Sequence, residues 1–315
     1  MTPISTVHAV AAAITFAPAL SFPAEFADID TPGASLSFYD LTSLDGREGI
    51  AAHYVPERPT ADMPLVLSVH GSGGSIAKQP IRALAAGLAS HGCPVLAINT
   101  RQSNEAVNTD NFYATVRDIE AAYWMAKGLG YERVVLHGHS LGTLQVSFFA
   151  ATHWDPTIVG IVLTGMPADL PWKSRYMLIG DEQRYAALRA EAVAAVRESD
   201  YDRMLSASMA WLENTDARVS AQHFLTYRTE GIAGPRSVDW VRRVPYPLLM
   251  VRDRNDAVVH DFEANWMGAA ANEGLSPSVT CRTLDSDATS HGHSFEKSSA
   301  QLVDAVSSWL LTLAR

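Results

Sequence analysis

Cysteine is nearly missing from this chain: Cys93 and Cys281 are the only two among 315 residues. Two cannot build a disulfide framework, and the strand pattern sets them on separate strands, so both are read as free, buried thiols. Long apolar runs are missing as well, and no stretch reaches the roughly 20 residues that a bilayer span requires. The nearest approach, Ala9 to Phe16, has no Lys or Arg ahead of it, and Pro18 and Pro23 interrupt the residues after it. Both features weigh against a cleaved signal, so a cytoplasmic location is the expectation and a cleaved signal peptide is the alternative. Positive charge is scarce: 24 Lys and Arg against 34 Asp and Glu leave a net charge of -10. That balance argues against nucleic acid and anionic lipid as partners, since both recruit basic surfaces. A small neutral or modestly charged molecule is the expected ligand, and a homodimer stays open. Repeats, low-complexity tracts and Gly/Ser linkers are also absent, so nothing divides the chain into independent domains.

What the chain does contain is strand and helix in alternation. Leu36 with Phe38, and Ile50 to Val55, read as opening strands around the Asp45, Gly46 turn. Leu65 to Val69, Pro94 to Ile98, Arg133 to Leu136 and Ile158 to Leu163 are short apolar runs of the kind buried on both faces of a parallel sheet. Between them lie helical stretches at Ile81 to Ser90, Asp110 to Lys127 and Leu141 to Ala151. In the second, Phe112, Val116, Ile119, Tyr123 and Ala126 recur at spacings of four and three and share one face. Strand, crossover helix, strand in repetition requires parallel pairing with right-handed crossovers. The alternation stops between Met166 and Val244, where Asp181 to Glu198 and Arg203 to Leu212 read as amphipathic helices of an insertion. It resumes with Leu248 to Val251, a helix near Phe262 to Ala271, a strand near Val279 to Leu284 and a last helix through Leu302 to Leu313. The expected organisation is one core, 1–165 with 245–315, interrupted by a helical cap at 166–244.

The chemistry concentrates at Gly138, His139, Ser140, Leu141, Gly142, placed directly after a strand and before a helix. A serine on so sharp a turn needs small neighbours, which the two glycines provide, and the turn lifts its hydroxyl into the cleft at the sheet's carboxyl edge. The helix after the turn points free N–H groups and its positive end at any developing oxyanion. A serine hydroxyl needs a base within reach and a carboxylate to orient that base. His293, preceded by Gly292 in the polar stretch before the last helix, is the chosen base, with His291 as the alternative. Asp256, in Arg252 to Val259 after the strand that resumes beyond the insertion, is the chosen acid. Asp253 is its alternative, and a turn aspartate paired with Arg252 or Arg254 is the plainer reading of either. His70, Gly71, Ser72, Gly73, Gly74 lets backbone approach a ligand closely, so that the Ser72 N–H joins that of Leu141 in an oxyanion hole. No Gly, Lys, Ser/Thr ending makes this a phosphate loop. The pairs His137 with His139 and His291 with His293 supply no closed ligand set, so neither a metal nor another cofactor is expected.

These stretches together resemble the α/β-hydrolase superfamily, in its serine esterase and lipase-like branch, across nearly the whole chain. The resemblance implies an eight-stranded, mostly parallel sheet with helices on both faces and a helical cap after the sixth strand. It implies a serine hydrolase acting on an ester or related acyl bond through Ser140, Asp256 and His293. Gly71, His139, Trp172, Tyr176 and Met177 are expected at the substrate, and Trp211 and Phe224 are further aromatic candidates, packing of cap on core being the plainer role for any one of them. Two positions depart from the pattern: Asp253 and Ala257 stand where many relatives have Gly and Pro. A serine nucleophile argues against the branches of this fold that use Asp. A small-molecule receptor with a vestigial triad, and an acyltransferase using the same residues, are the competing functions.

Overall fold

The computed structural model describes residues 31–103, 108–206, 209–211, 215–231, 234–285, 295 and 298–314, with backbone alone for 209–211 and 215–217. Every strand expected from the apolar runs is present. In chain order they are β1 (Ala34–Thr42), β2 (Glu48–Pro56), β3 (Leu65–Val69), β4 (Val95–Ile98), β5 (Val134–His139) and β6 (Ile158–Thr164). After a hairpin of β7 (Met209–Trp211) and β8 (Thr215–Ala217) come β9 (Leu248–Asp253) and β10 (Val279–Leu284). The main sheet has eight strands in the order β1-β2-β4-β3-β5-β6-β9-β10. β1 and β2 pair antiparallel with each other, as do β2 and β4, and the remaining pairs run parallel.

Burial follows from position in that order. β3, β4, β5 and β9 are buried at every residue, as strands in the middle of a sheet covered on both faces are, the polar residues of β3, β5 and β9 included. β10, at the edge, is mostly open to solvent. One face packs against α2 (Phe112–Gly128), α3 (Leu141–Thr152) and α8 (Asp261–Asn272), and the predicted stripe of Phe112, Val116, Ile119, Tyr123 and Ala126 lies wholly within that core. The other face packs against α1 (Ile81–Ser90) and α9 (Ser299–Leu313), through Leu84, Leu88, Leu302, Val306 and Leu310. Asn111 caps α2 by accepting from the Ala114 N–H at 2.8 Å, which sets the start of that helix.

Between β6 and β9 the chain leaves the sheet. It forms α4 (Leu170–Lys173) running into a π-helical turn (Ser174–Ile179), α5 (Glu182–Arg197), α6 (Ala221–His223) with a second π-helical turn (Phe224–Arg228), and α7 (Ser237–Trp240). Asp181 caps α5, as its place before the helix suggests. A small core of its own joins Ile179, Tyr185, Leu188, Leu205, Val219 and Phe224. The helix expected at Arg203 to Leu212 is absent: Met204 bridges Ser220, and Met209–Trp211 pairs antiparallel with Thr215–Ala217. Glu191 on α5 captures both the N–H and the hydroxyl of Ser206, at 2.8 and 2.6 Å, and Leu205 donates to Val219. Long-range partners thus outweigh helical composition there.

The cysteines also differ from expectation. Cys93 precedes β4 and is buried, but Cys281 sits on edge strand β10 and is exposed, because a strand at the margin has only one covered side. No helix among the described residues is long and apolar enough to cross a membrane.

Candidate active site

Ser140 follows β5 directly and serves as the N-cap residue of α3, with φ +51° and ψ -119°. A non-glycine residue in that region is strained by about 1–3 kcal/mol and persists only where its surroundings hold it. They do so here. The Ser140 N–H donates to the Thr164 carbonyl on the neighbouring strand at 2.9 Å, and its own carbonyl accepts from the Thr143 N–H and hydroxyl at 2.9 and 2.6 Å. The glycines at either side are demanded by contact. A Cβ on Gly138 would lie 2.5 Å from the Gly142 carbonyl oxygen, and one on Gly142 would lie 2.7 Å from the carbonyl oxygens of Val69 and His70. Leu141 is the first residue of α3, so its N–H has no acceptor inside the helix.

The His70 loop abuts this turn. A Cβ on Gly71 would come within 2.7 Å of Ser140 Cβ and 3.3 Å of its Oγ, so only glycine lets the two segments touch. His70 is buried and organises the loop. The Thr100 N–H donates to its Nε2 at 3.0 Å, which leaves the proton on Nδ1 to donate to the Gly71 carbonyl at 2.7 Å. Gly74 N–H reaches the same carbonyl at 3.1 Å. With Gly71 O held twice, the plane of the Gly71–Ser72 peptide is set, and with it the direction of the Ser72 N–H. Burial pulls the His70 pKa down to about 4, so the imidazole stays neutral. The Ser72 hydroxyl is buried and has no hydrogen-bond partner among the described residues.

Beneath the turn runs a polar row that no sequence motif announced. Ser68 on β3 stands beside His137 on β5 in register, and His139 stands beside Thr164 on β6. Ser68 Oγ lies 2.8 Å from His137 Nδ1, His137 Nε2 lies 3.1 Å from Thr164 Oγ1, and Thr164 Oγ1 lies 3.2 Å from His139 Nδ1. One proton assignment satisfies the row. Ser68 donates to His137 Nδ1, His137 Nε2–H and His139 Nδ1–H donate to Thr164, and Thr164 donates to the Gly138 carbonyl at 3.3 Å. Burial lowers the His137 pKa to about 3, consistent with a neutral ring. A polar residue at a matching register of two otherwise apolar strands, Ser68 in one and His137 in the other, was the signal available.

Asp256 is buried in the loop after β9. Its Oδ1 accepts from the N–H groups of Val258 and Val259 at 2.8 and 2.9 Å. Asp253, at the end of β9, takes the Asn255 N–H on Oδ1 at 2.9 Å and the Ser298 hydroxyl on Oδ2 at 3.0 Å. The arginines nearby pair elsewhere: Arg252 with Asp261 at 2.7 Å and with the carbonyls of Val259 and Arg254, and Arg254 with Asp285 at 3.1 Å. His291 and His293 lie outside the described residues. Phe295, two positions beyond His293, is fully buried, and its ring meets that of His139 edge-on at 5.4 Å.

Of the expected substrate contacts, Gly71 and His139 adjoin Ser140. Trp172 packs against Tyr176 and against Phe262 of α8, each at 5.8 Å between ring centroids. Tyr176 and Met177 are 48% and 39% exposed and so take no part in a core. Phe224 is fully buried in the small core between β6 and β9, which is the packing role. The Trp211 side chain is outside the described residues.

A family described as alpha/beta hydrolase fold matches residues 64–285, more than two thirds of the chain. No curated protein matches the sequence. Among solved structures, Est1E from Butyrivibrio proteoclasticus is similar at 17% identity and TM-score 0.64, over 89% of this chain and 98% of that one. The esterase domain of a Rhodothermus marinus protein is similar at 19% identity and TM-score 0.59, over 87% and 97%. A hypothetical protein, PA2218 from Pseudomonas aeruginosa, is similar at 14% identity and TM-score 0.65, over 90% and 95%. At these identities the structures speak for fold, and the family match, with the strand, turn and helix around Ser140, places this chain in the α/β-hydrolase fold family.

Proposed function

We propose that the chain is a serine hydrolase cleaving a carboxylic ester, or a related acyl bond, of a small and largely apolar substrate. The observation that carries this reading is Ser140, held at φ +51° between a strand and a helix with Gly71 pressed against it. Ser140 Oγ attacks the carbonyl carbon while His293 takes its proton. The N–H groups of Leu141 and Ser72 receive the oxyanion, the first at a helix N-terminus and the second on the peptide that His70 orients. Collapse of the tetrahedral intermediate expels the alcohol, protonated by His293, and leaves an acyl-serine. Water, activated by the same histidine, then releases the acid. Asp256 keeps His293 in the tautomer that accepts the serine proton and stabilises the imidazolium formed when it does.

Two features support the choice of partners. Val258 and Val259 both donate to one oxygen of Asp256, so its carboxylate is aimed by its own loop, whereas Asp253 uses its two oxygens to brace Asn255 and Ser298. Phe295, close to His293 in sequence, is anchored against His139, next to the nucleophile. The segment 166–244 is assigned as a cap. It packs on chain that follows the carboxyl ends of β4 and β9, through Ser220 with Asn108, Thr226 with Phe112, and Lys173 with Val258. Trp172, Tyr176 and Met177 on that segment are assigned to the acyl or alcohol group.

Hydrolysis of p-nitrophenyl esters of graded chain length, with fluorophosphonate labelling, tests the reading. Ser140→Ala is expected to lose labelling entirely and turnover by about 10⁴-fold or more, and Asp256→Asn to lose turnover by about 10²- to 10⁴-fold. Labelling and turnover that both survive Ser140→Ala would sink the assignment.

A further inference from the structure

Lys173 lies outside the triad reading, yet it reaches the acid loop. Its side chain is 4% exposed and that of Glu263 is 2% exposed, and Nζ lies 2.5 Å from Glu263 Oε2. The same ammonium donates to the Val258 carbonyl. Val258 is the hinge of the arrangement: its N–H donates to Asp256 Oδ1 at 2.8 Å while its carbonyl is held by Lys173. Glu263, in the first turn of α8, also accepts from the His260 N–H at 3.1 Å, so the carboxylate fixes both the lysine and the end of the loop. The partners of Lys173 are 85 and 90 residues away in sequence, which ties the segment after β6 to the loop after β9. A buried ion pair adds little stability over apolar residues of equal volume, so its place calls for an account beyond stability. Arg252 holds the neighbouring Val259 carbonyl at 3.1 Å, so Val258 and Val259, the two amides that aim Asp256, are each gripped by a cation through their carbonyls.

We propose that Lys173 is a positioning residue: acting through Val258, it holds Asp256 in the orientation that the base requires. The segment that carries Trp172 and Tyr176 is thereby tied to the acid of the triad, so that movement of one is felt by the other. This rests on the reading of Asp256 as that acid.

The test uses the full chain with a p-nitrophenyl ester that it turns over. The paired variant Lys173→Met/Glu263→Gln removes both charges and leaves neither buried alone. It is expected to lower kcat about 10- to 100-fold with KM within about twofold, since an orienting role is felt in the transition state. Combined with Asp256→Asn it is expected to lower kcat no further than Asp256→Asn does alone, because both act through one carboxylate. Unchanged kcat in the paired variant, beside a crippled Asp256→Asn, would overturn the positioning role alone. Losses that multiply in the combined variant would overturn it too, since they mark a separate structural effect. Full kcat in Asp256→Asn would overturn the acid assignment instead. Should the paired variant fail to fold, Lys173→Arg, which keeps the charge but replaces the compact ammonium at Val258 with a planar fork, enters the same cycle with the same expected outcomes.

Discussion

The turn at Ser140 and the loop at Asp256 follow the carboxyl ends of β5 and β9, which β6 separates in the sheet, and are built by different means. Backbone fit holds the first: Gly138, Gly142 and Gly71 leave no room for a Cβ, and carbonyls of Thr164, Val69 and His70 press directly on it. Long side chains from elsewhere hold the second, with Arg252 and Lys173 reaching carbonyls of the loop and Glu263 closing its end. A motif made by backbone fit must carry its glycines at fixed spacing, whereas a loop gripped by side chains can draw them from any part of the chain. The first is therefore a local pattern and the second is not.

Acid should separate the two most strongly. His70 and His137, both on the Ser140 side, are held neutral by burial, with pKa values down at about 4 and about 3. Unfolded, each takes up a proton near pH 6.5, so between these values the unfolded chain binds more protons and folding is opposed. Stability is full above about pH 6.5 and is lost as pH falls, by about 2–3 kcal/mol per histidine between pH 7 and 4.5. Urea denaturation across that range reads the loss, and His137→Gln, which can still bond Ser68 and Thr164, should flatten the slope. An unchanged slope in that variant would remove His137 from the account.

Next comes the loop after β9. Lys173→Met alone strands the Glu263 carboxylate in a buried place and should cost about 3–5 kcal/mol, more than the paired Lys173→Met/Glu263→Gln change. Thermal melts of the two variants decide it, and equal losses would mean that the charges are not coupled. Gly142→Ala is expected to cost about 3 kcal/mol by overpacking against the Val69 and His70 carbonyls, with activity lost alongside stability. A melt near that of the wild type would show the turn to be looser than its contacts suggest. The smallest effect has the opposite sign. Ser140→Gly should gain about 1 kcal/mol of stability, because glycine occupies φ +51° without the strain that serine stores. No gain would mean that the strain is relieved elsewhere in the turn.

Legibility in the sequence followed the same division. The strands were readable because continuous apolar runs such as Val95 to Ile98 leave no solvent-facing side, and α2 because its apolar residues share one face. The Ser140 turn was readable from its glycines. The helix expected at Arg203 to Leu212 failed because Glu191 and Val219 claim its backbone and side chains, and neither partner is visible locally. The buried place expected for Cys281 failed because nothing in Val279 to Leu284 tells that it is the edge strand. Thr164, Ser68 and Lys173 went unnoticed since each is an ordinary polar residue until the sheet or the loop brings its partner alongside.

The chain's own pattern was enough for the parallel sheet, the alternation that builds it and the serine between strand and helix, because each leaves a signature within a few residues, although the contacts that hold the Ser140 turn, from Thr164, Val69 and His70, come from farther away. Tertiary neighbours alone set the polar row under Ser140, the peptide that His70 orients and the grip of Lys173 on the loop after β9. These depend on which strands become neighbours and on buried polar groups finding partners far away in the chain, and no local pattern carries that information.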